Sequence, residues 1–360
     1  MIKAIDFFCG IGGVTAGFID AGIDVVAGID KDPDCKVTYE YNHKRLNSDK
    51  SVPYLLQDIS DSEFCLSRDE FDIKNDDILV VIGCAPCQPF TRITDVSEKR
   101  KKERSLLSIF AEKVRNLNPD YIFVENVTGL RSNMNGNNEV LNSFISDLNE
   151  QGYVLNINVV NAAHYGVPQN RKRLIIFGKK GEKIEFPEET HGRKKQRKKP
   201  LVKLRDVIED LPPVEAGLKH DNIPNHISAK LKDISLERLS YQENPGEGME
   251  TWPEHLQLPS RRKAYSGHND VYARLNWDKP SSTLTTKFFS ISNGRFAHPV
   301  QNRALTIREG LRIQTFDSEK REFVLIDERV SIMSRQIGNA VPVKMAEAFA
   351  NKIIEDINDL

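Results

Sequence analysis

IKAIDFFCGIGG, residues 2–13, runs an apolar strand into a glycine turn and then into a helical pattern that ends near Ala21-Gly22. Glycines in such a turn let backbone amides approach a ligand at a helix N-terminus, and they equally serve a tight structural connection. What surrounds the turn decides between these uses. Outward from it, short β-branched runs recur at DVVAGID, ILVVIG, DYIFVEN, YVLNINVV and RLIIFG, with helical patterns between them. The alternation predicts α/β architecture with a doubly wound sheet through about residue 180. From about Glu185 to Asn302 it stops, and Pro, Gly, Asn and charge dominate, as in ENPGEGMETWPEH. This predicts a second, irregular domain. Beyond it TIREGLRIQ and VKMAEAFANKIIEDI read as helices, the latter with Ala346, Phe349, Ala350, Ile353 and Ile357 in one apolar stripe expected to pack back on the sheet. No internal repeat or heptad pattern is present.

The 360 residues are 39% hydrophobic, which fits a globular protein with a real core and excludes a disordered chain. MIKAIDFFCG carries no basic leader or cleavage pattern, and no apolar run is of spanning length, so a cytoplasmic protein with no membrane partner is expected. Five scattered cysteines (Cys9, Cys35, Cys65, Cys84, Cys87) argue against a disulfide framework and leave thiols free for chemistry. A net charge of −1 hides local blocks: 58–77 is rich in Asp and Glu, whereas KRKKER (99–104) and RKKQRKK (193–199) are strongly basic. On charge alone these basic blocks fit phosphate contacts and solvated loops equally well.

Chemistry is expected at the carboxyl ends of the strands, where open α/β sheets place their sites. The second strand ends at Asp30, about twenty residues after the glycines, where a carboxylate can accept both hydroxyls of a ribose. Asp58 stands at a third strand end, and Phe8 is placed to stack on an adenine or to fill core. The spacing suits an adenosine-bearing cofactor, but Gly-x-Gly-Gly departs from the dinucleotide fingerprint. In ILVVIGCAPCQPFTR (78–92) the prolines flanking Cys87-Gln88 stiffen the turn and hold a thiol in one direction. Cys84-x-x-Cys87 also fits a redox pair. As half of a zinc site it lacks a second Cys or His pair, so no metal is expected. DYIFVEN brings Glu125 to the same sheet edge, as an active carboxyl or as a helix cap.

Several stretches taken together, GCAPCQPF (83–90), ENV (125–127), NAAHYGVPQNRKR (161–173), NGRFAHP followed by NRALTIREGLRIQTF (302–316), and QIGNAVP (336–342), resemble the ordered motif set of the cytosine carbon-5 DNA methyltransferases, of the bacterial modification type. The match spans nearly the whole chain except 185 to about 260. It implies a Rossmann-like S-adenosylmethionine-dependent methyltransferase domain over 1–184 and 328–360, and a smaller irregular target-recognition domain over 185–327. It implies transfer of a methyl group to carbon 5 of a cytosine flipped out of duplex DNA. Cys87 would attack carbon 6, Glu125 would hold the ring through nitrogen 3 and the exocyclic amine, and Arg171 and Arg173 would bind the base oxygen and brace Glu125. Cys84 would only pack. For S-adenosylmethionine the resemblance implies Phe8 against adenine, Gly10, Ile11, Gly12 and Gly13 near the methionine part, Asp30 on the ribose and Asp58 on the adenine amine. Ile59, Pro86, Leu106 and Asn339 would complete the pocket. The family commonly has Glu and then a bulky apolar residue where this chain has Asp30-Lys31, and Lys31 cannot cover adenine as a ring would.

DNA contacts are expected from Gln88, Thr91, Arg92 and KRKKER in a closing loop, and across the cleft from Lys194, Lys195, Lys198, Lys199, Arg261, Arg262, Lys263 and TTKFF (285–289). A monomer is expected, with a cognate restriction endonuclease acting on the same site without stable complex, and with nucleoid association. Two alternatives differ in class. A tRNA cytosine-5 methyltransferase would carry a late Cys-Phe-Thr signature, and no cysteine follows residue 87. A catalytically inactive DNA-binding module has no need of Cys87, Glu125 and both arginines.

Overall fold

The structure is a computed structural model, describing residues 1–86, 98–130, 139–192, 198–258, 271–318 and 321–359, with the backbone alone over 98–105. In chain order the strands and α-helices are β1 (Ile2–Phe7), α1 (Gly13–Ala21), β2 (Asp24–Asp30), α2 (Pro33–Asn42), β3 (Tyr54–Leu56), β4 (Ile78–Gly83), α3 (Glu98–Leu117), β5 (Tyr121–Val127), α4 (Glu139–Glu150), β6 (Tyr153–Asn161), β7 (Gln169–Asn170) and β8 (Lys172–Lys180). They continue as α5 (Arg205–Ile208), α6 (Asp233–Ser240), β9 (Ser281–Ser282), α7 (Ile307–Ile313), α8 (Val330–Asn339) and α9 (Val343–Asn358). Two compact units result. The first comprises Met1–Tyr165, Lys172–Glu189 and Val341–Leu360, the second Gly166–Arg171 and Thr190–Ala340. α8 thus falls in the second unit, where the sequence boundary at 328 grouped it with the first.

The first unit is mixed α/β around a central sheet of order β3-β2-β1-β4-β5-β8-β6 among the described residues. β1 to β5 are parallel, whereas β8 inserts antiparallel between β5 and β6. The near-continuous apolar runs of β2, β4 and β5 are what strands buried on both faces require, β1 adds the buried Lys3 and Asp6, and Ile5, Val25, Val81 and Phe123 are shut from solvent. α1 begins at Gly12 and stops at Gly22, which at φ 97° turns its amide back to the carbonyls of Phe18 and Ile19. α2 opens on Asp32, whose side chain accepts from the Asp34 amide, with Pro33 at the first helical position. The α9 stripe packs on the sheet as its spacing predicts: Phe349 lies 5.1 Å from Phe123 and 5.3 Å from Phe177, ring to ring.

The second unit has little regular structure. β7 and β9 form a two-residue parallel pair, Gln169 with Ser281 and Asn170 with Ser282. α7 opens on a capping box in which Thr306 and Glu309 satisfy each other's amides. Small apolar clusters, Leu239 with Ile291, Ala297 and Ala304, and Met249 with Trp252 and Leu256, take the place of a sheet-backed core.

Candidate active site

β1 ends under the glycine turn, and the backbone there takes conformations that a side chain resists. Phe8, Gly10 and Gly12 have φ of 59°, 53° and 84°. A Cβ added at Gly12 would fall 2.2 Å from His43 Nε2, and one at Gly13 2.2 Å from the Val341 carbonyl oxygen. The turn is therefore closed on its protein side. At Gly10 the same test meets nothing within 4 Å, which leaves open space where a ligand can approach.

Asp30, at the end of β2, accepts from the Gly10 amide at 2.9 Å through Oδ2 and from the Asp32 amide at 3.0 Å through Oδ1. Burial raises its pKa above the ordinary carboxylate value, against the pull of those two amides. Asp58, beyond β3, is pulled the other way. Burial opposes the shift, but bonds from Ser60 and Lys31 overcome it and lower the pKa. Lys31 Nζ stands 3.1 Å from Asp58 Oδ2, while Oδ1 accepts from the Ser60 amide and hydroxyl. The departure at position 31 thus makes an ion pair with another expected cofactor residue, a link between two strand ends that opposite charges in the sequence could have suggested. Phe8, Ile59, Ala85 and Leu106 belong to one apolar cluster. Pro86 is exposed, and Asn339 is the exposed last residue of α8 in the second unit.

On the next strands, Glu125 is nearly buried, and Arg173 Nε lies 2.8 Å from its Oε1 across the antiparallel β5–β8 pair. This is a charge contact off the line of a hydrogen bond, since the same oxygen has no properly angled donor. Beside it, Asn126 donates to the Ala85 carbonyl at 3.2 Å and accepts from the Val127 amide at 2.8 Å, tying β5 to the turn that leads into Cys87. Sequence reasoning missed this asparagine, although it sits inside the ENV stretch. Cys84 is half-buried. Burial first, then the Glu125 and Asp6 carboxylates, raise its pKa well above that of an ordinary thiol.

The two arginines read as a pair do different things. Arg171 is buried in the second unit and donates to the carbonyls of Leu284 and Gly338, both at 3.1 Å. Gln169 joins the same knot, donating to Gln314 Oε1 at 2.9 Å and accepting from the Leu284 amide at 2.9 Å. Gly338 is required there, because a Cβ would fall 2.5 Å from the Thr285 carbonyl. Within TTKFF, expected to face DNA, Phe288 is instead fully buried and meets the α-carbon of Gly310 through its ring. Apolar character outweighs the neighbouring Lys287, which remains exposed. Lys199 pairs with His191 in an isolated bridge, and Lys198 is half-buried. Cys87, Gln88, Thr91, Arg92, Lys194, Lys195, Arg261, Arg262 and Lys263 lie outside the described residues. Among the described residues no cluster of three or more His, Cys, Asp or Glu is placed to hold a metal, and no helix is long and apolar enough to cross a membrane.

A glycine turn after β1 beside a carboxylate at the end of β2, with an acid on β5 facing an arginine on β8, sits at the edge of an α/β sheet where such folds place their ligands. The chain belongs to the C-5 cytosine-specific DNA methylases, whose family model it matches over residues 2–355. It is 36% identical over 353 residues to the Type II methylase M.HgiDII of Herpetosiphon aurantiacus, covering 97% of this chain and 94% of that one. It is 29% identical to the Type II methyltransferase M1.HphI of Haemophilus parahaemolyticus, covering 98% and 86%. In fold it is similar to a prophage-encoded protein of E. coli described as a DNA modification methyltransferase, at a TM-score of 0.71 and 22% identity over 99% of this chain and all of that one. The S. pombe Dnmt2 methyltransferase follows at 0.60 and 19%, with 99% and 100% covered. The protein is a DNA (cytosine-5-)-methyltransferase with S-adenosylmethionine as methyl donor.

Proposed function

We propose that the β4, β5 and β8 ends form the catalytic edge and that the second unit supplies target recognition. The observation that carries this reading is the Glu125–Arg173 contact beside an Asn126 bond to the turn entering Cys87. The Cys87 thiolate adds to carbon 6 of the flipped cytosine, which makes carbon 5 electron-rich enough to accept a methyl group. Glu125 holds nitrogen 3 and the exocyclic amine, and Arg173 steadies Glu125 and faces the base oxygen. Arg171 acts at one remove, holding the backbone at Leu284 and Gly338. S-adenosylmethionine supplies an electrophilic methyl group. Phe8, Ile59 and Leu106 would line its adenine, the 10–13 glycine turn would lie near its methionine part, Asp30 would meet its ribose and Asp58 its amine, with Pro86 and Asn339 at the margin. The open space at Gly10 fits such a ligand.

Of the second unit, Lys198 and Lys199, with the basic residues outside the described set, would meet phosphates of duplex DNA. The protein acts as a cytoplasmic, nucleoid-associated monomer in a restriction-modification system, beside an endonuclease that shares its site without stable complex. The test is a duplex carrying 5-fluorocytosine at the methylated position. Fluorine cannot leave carbon 5 as a proton, so the thiolate cannot depart, and an adduct stable to denaturation forms only with S-adenosylmethionine present. Fragment-ion mapping places the cross-link on Cys87, and Cys87→Ala abolishes both adduct and transfer. Mapping to Cys84 overturns the assignment.

A further inference from the structure

Behind the glycine turn lies a buried polar column. Tyr39 and His43, one turn apart on and just past α2, pack with ring centroids 4.7 Å apart and planes tilted by 59°. The Tyr39 hydroxyl is 2.9 Å from the Thr15 hydroxyl, which donates to Asp6 Oδ2 at 2.7 Å. At the other end, His43 Nε2 is 2.9 Å from the carbonyl oxygen of Ile11. A carbonyl only accepts, so Nε2 carries the proton there. Both residues are shut from solvent. The helix provides no partner for this carbonyl, because the first intrahelical bond goes to Gly12, whose oxygen accepts from the Ala16 amide at 2.8 Å. A buried carbonyl one residue upstream needs a donor from elsewhere, and His43 is that donor.

The orientation of one peptide sets that of its neighbours. Fixing the Ile11 carbonyl toward the protein fixes the plane of the Ile11–Gly12 peptide. The other side of the same peptide is held by the Gly12 amide, which donates to the Cys9 carbonyl at 2.8 Å, so His43 and Cys9 grip it from opposite edges where Gly12, at φ 84°, has no side chain to restrict it. The ring that donates also fills the space under Gly12.

We propose that His43 is a positioning residue for the methyl donor: by holding the Ile11 carbonyl from behind, it keeps the Gly10–Gly13 backbone aimed at the ligand. This rests on the reading that the glycine turn holds S-adenosylmethionine. His43→Phe keeps a ring of similar shape and removes the donor. In the full chain it should raise the Kd for S-adenosylhomocysteine, read by titration calorimetry, about tenfold. The KM for S-adenosylmethionine should rise in parallel, while kcat at saturating donor and KM for DNA stay within about twofold of the parent. His43→Gln, whose amide nitrogen can reach the position of Nε2, should restore Kd to within about threefold, and the shorter His43→Asn should not.

A role in stability alone would lower the thermal midpoint and leave this pattern of Kd unmoved. Kd within twofold of the parent in His43→Phe, or His43→Gln no better than His43→Asn, overturns the proposal. Asp30→Ala separates the two readings. If it weakens S-adenosylhomocysteine binding and His43→Phe does not, only the latch fails. If neither weakens it, the assignment of the donor to the glycine turn fails, and the latch with it.

Discussion

The two units of this chain solve the same problem, burying a backbone, by opposite means. In the first, the sheet ladder pairs amides and carbonyls with one another, and its core is aliphatic and aromatic. In the second, the described residues form a single two-residue ladder, β7 with β9, and many buried carbonyls are bonded by side chains instead. Arginine side chains take the sheet's place. Among the described residues the four largest fully buried side chains, Arg171, Arg274, Arg303 and Arg308, all belong to the second unit. Arg274 donates to the carbonyls of Leu239, Gln242, His298 and Gln301 and to the Asn302 side chain. Arg308 donates to those of Pro224 and Phe323. Arginine suits this because it offers five donors in a fixed plane and no acceptor. Burial pulls Arg274 down only to about 10, so it stays charged at neutral pH. The neighbouring His298 is pushed down to about 3 by burial and stays neutral, its Nδ1 accepting from the amides of Val300 and Gln301.

If that contrast is right, Arg274→Met is the most damaging single change. It keeps the apolar bulk and orphans several carbonyls at about 1–3 kcal/mol each, a loss upward of about 5 kcal/mol that abolishes cooperative folding of the second unit in urea melts followed by circular dichroism. A cost below about 1 kcal/mol would break the comparison.

Next is the Arg303–Glu309 pair, with Nη2 2.7 Å from Oε1 and Nη1 2.8 Å from Oε2, both side chains buried. Burial opposes ionisation of Glu309, but the Arg303 guanidinium prevails and lowers its pKa to about 2. Arg303→Met strands that carboxylate at a cost of about 3–5 kcal/mol, and the further change Glu309→Leu recovers a large part of it in a double-mutant cycle. Since the folded pKa is depressed, the pair's contribution is full above about 4.5, the unfolded value, and fades as pH falls toward 2.

The first unit holds the opposite case. Asp6, under the glycine turn, has its pKa raised to about 7, by burial first, with the Thr15 bonds opposing, and its Oδ1 has no partner. Its contribution is full below 3.8, the unfolded value, and is lost as pH rises through 7. Between pH 5 and pH 8 the parent should lose about 2–3 kcal/mol relative to Asp6→Asn in the cofactor-free protein, read from chemical denaturation at each pH. Parallel pH profiles would show that the carboxyl is ionised throughout. The smallest effect belongs to Lys31→Gln. It removes a half-exposed partner of Asp58 and should change stability by less than about 0.5 kcal/mol.

What could be read from the chain follows the range over which its physics acts. β2, β4 and β5 announce themselves through runs of four or five apolar residues, and α9 through Phe349 and Ile353 at helical spacing, because burial on a sheet face or one helix stripe is a local pattern. The glycine turn and Asp30 were legible for the same reason, lying about twenty residues apart at the ends of neighbouring strands. RLIIFG reads as a strand, but nothing in it says that β8 runs antiparallel between β5 and β6, since strand direction depends on where the chain has travelled in between.

That an arginine of the shared motif braces Glu125 was legible, but not which of Arg171 and Arg173 reaches it. Arg173 meets Glu125 across a strand pair, while Arg171 spends its guanidinium on carbonyls 113 and 167 residues further along the chain. His43 likewise shows no sequence signal for the Ile11 carbonyl it holds. By itself, then, the sequence determined the α/β alternation, the family and the chemical types at the sheet edge, because periodicity and ordered motifs are written in neighbouring residues. Which donor satisfies which buried carbonyl was decided only by the tertiary structure, because a hydrogen bond depends on distance and angle in space, and the chain places those partners from 32 residues apart, for His43 and Ile11, to 167, for Arg171 and Gly338.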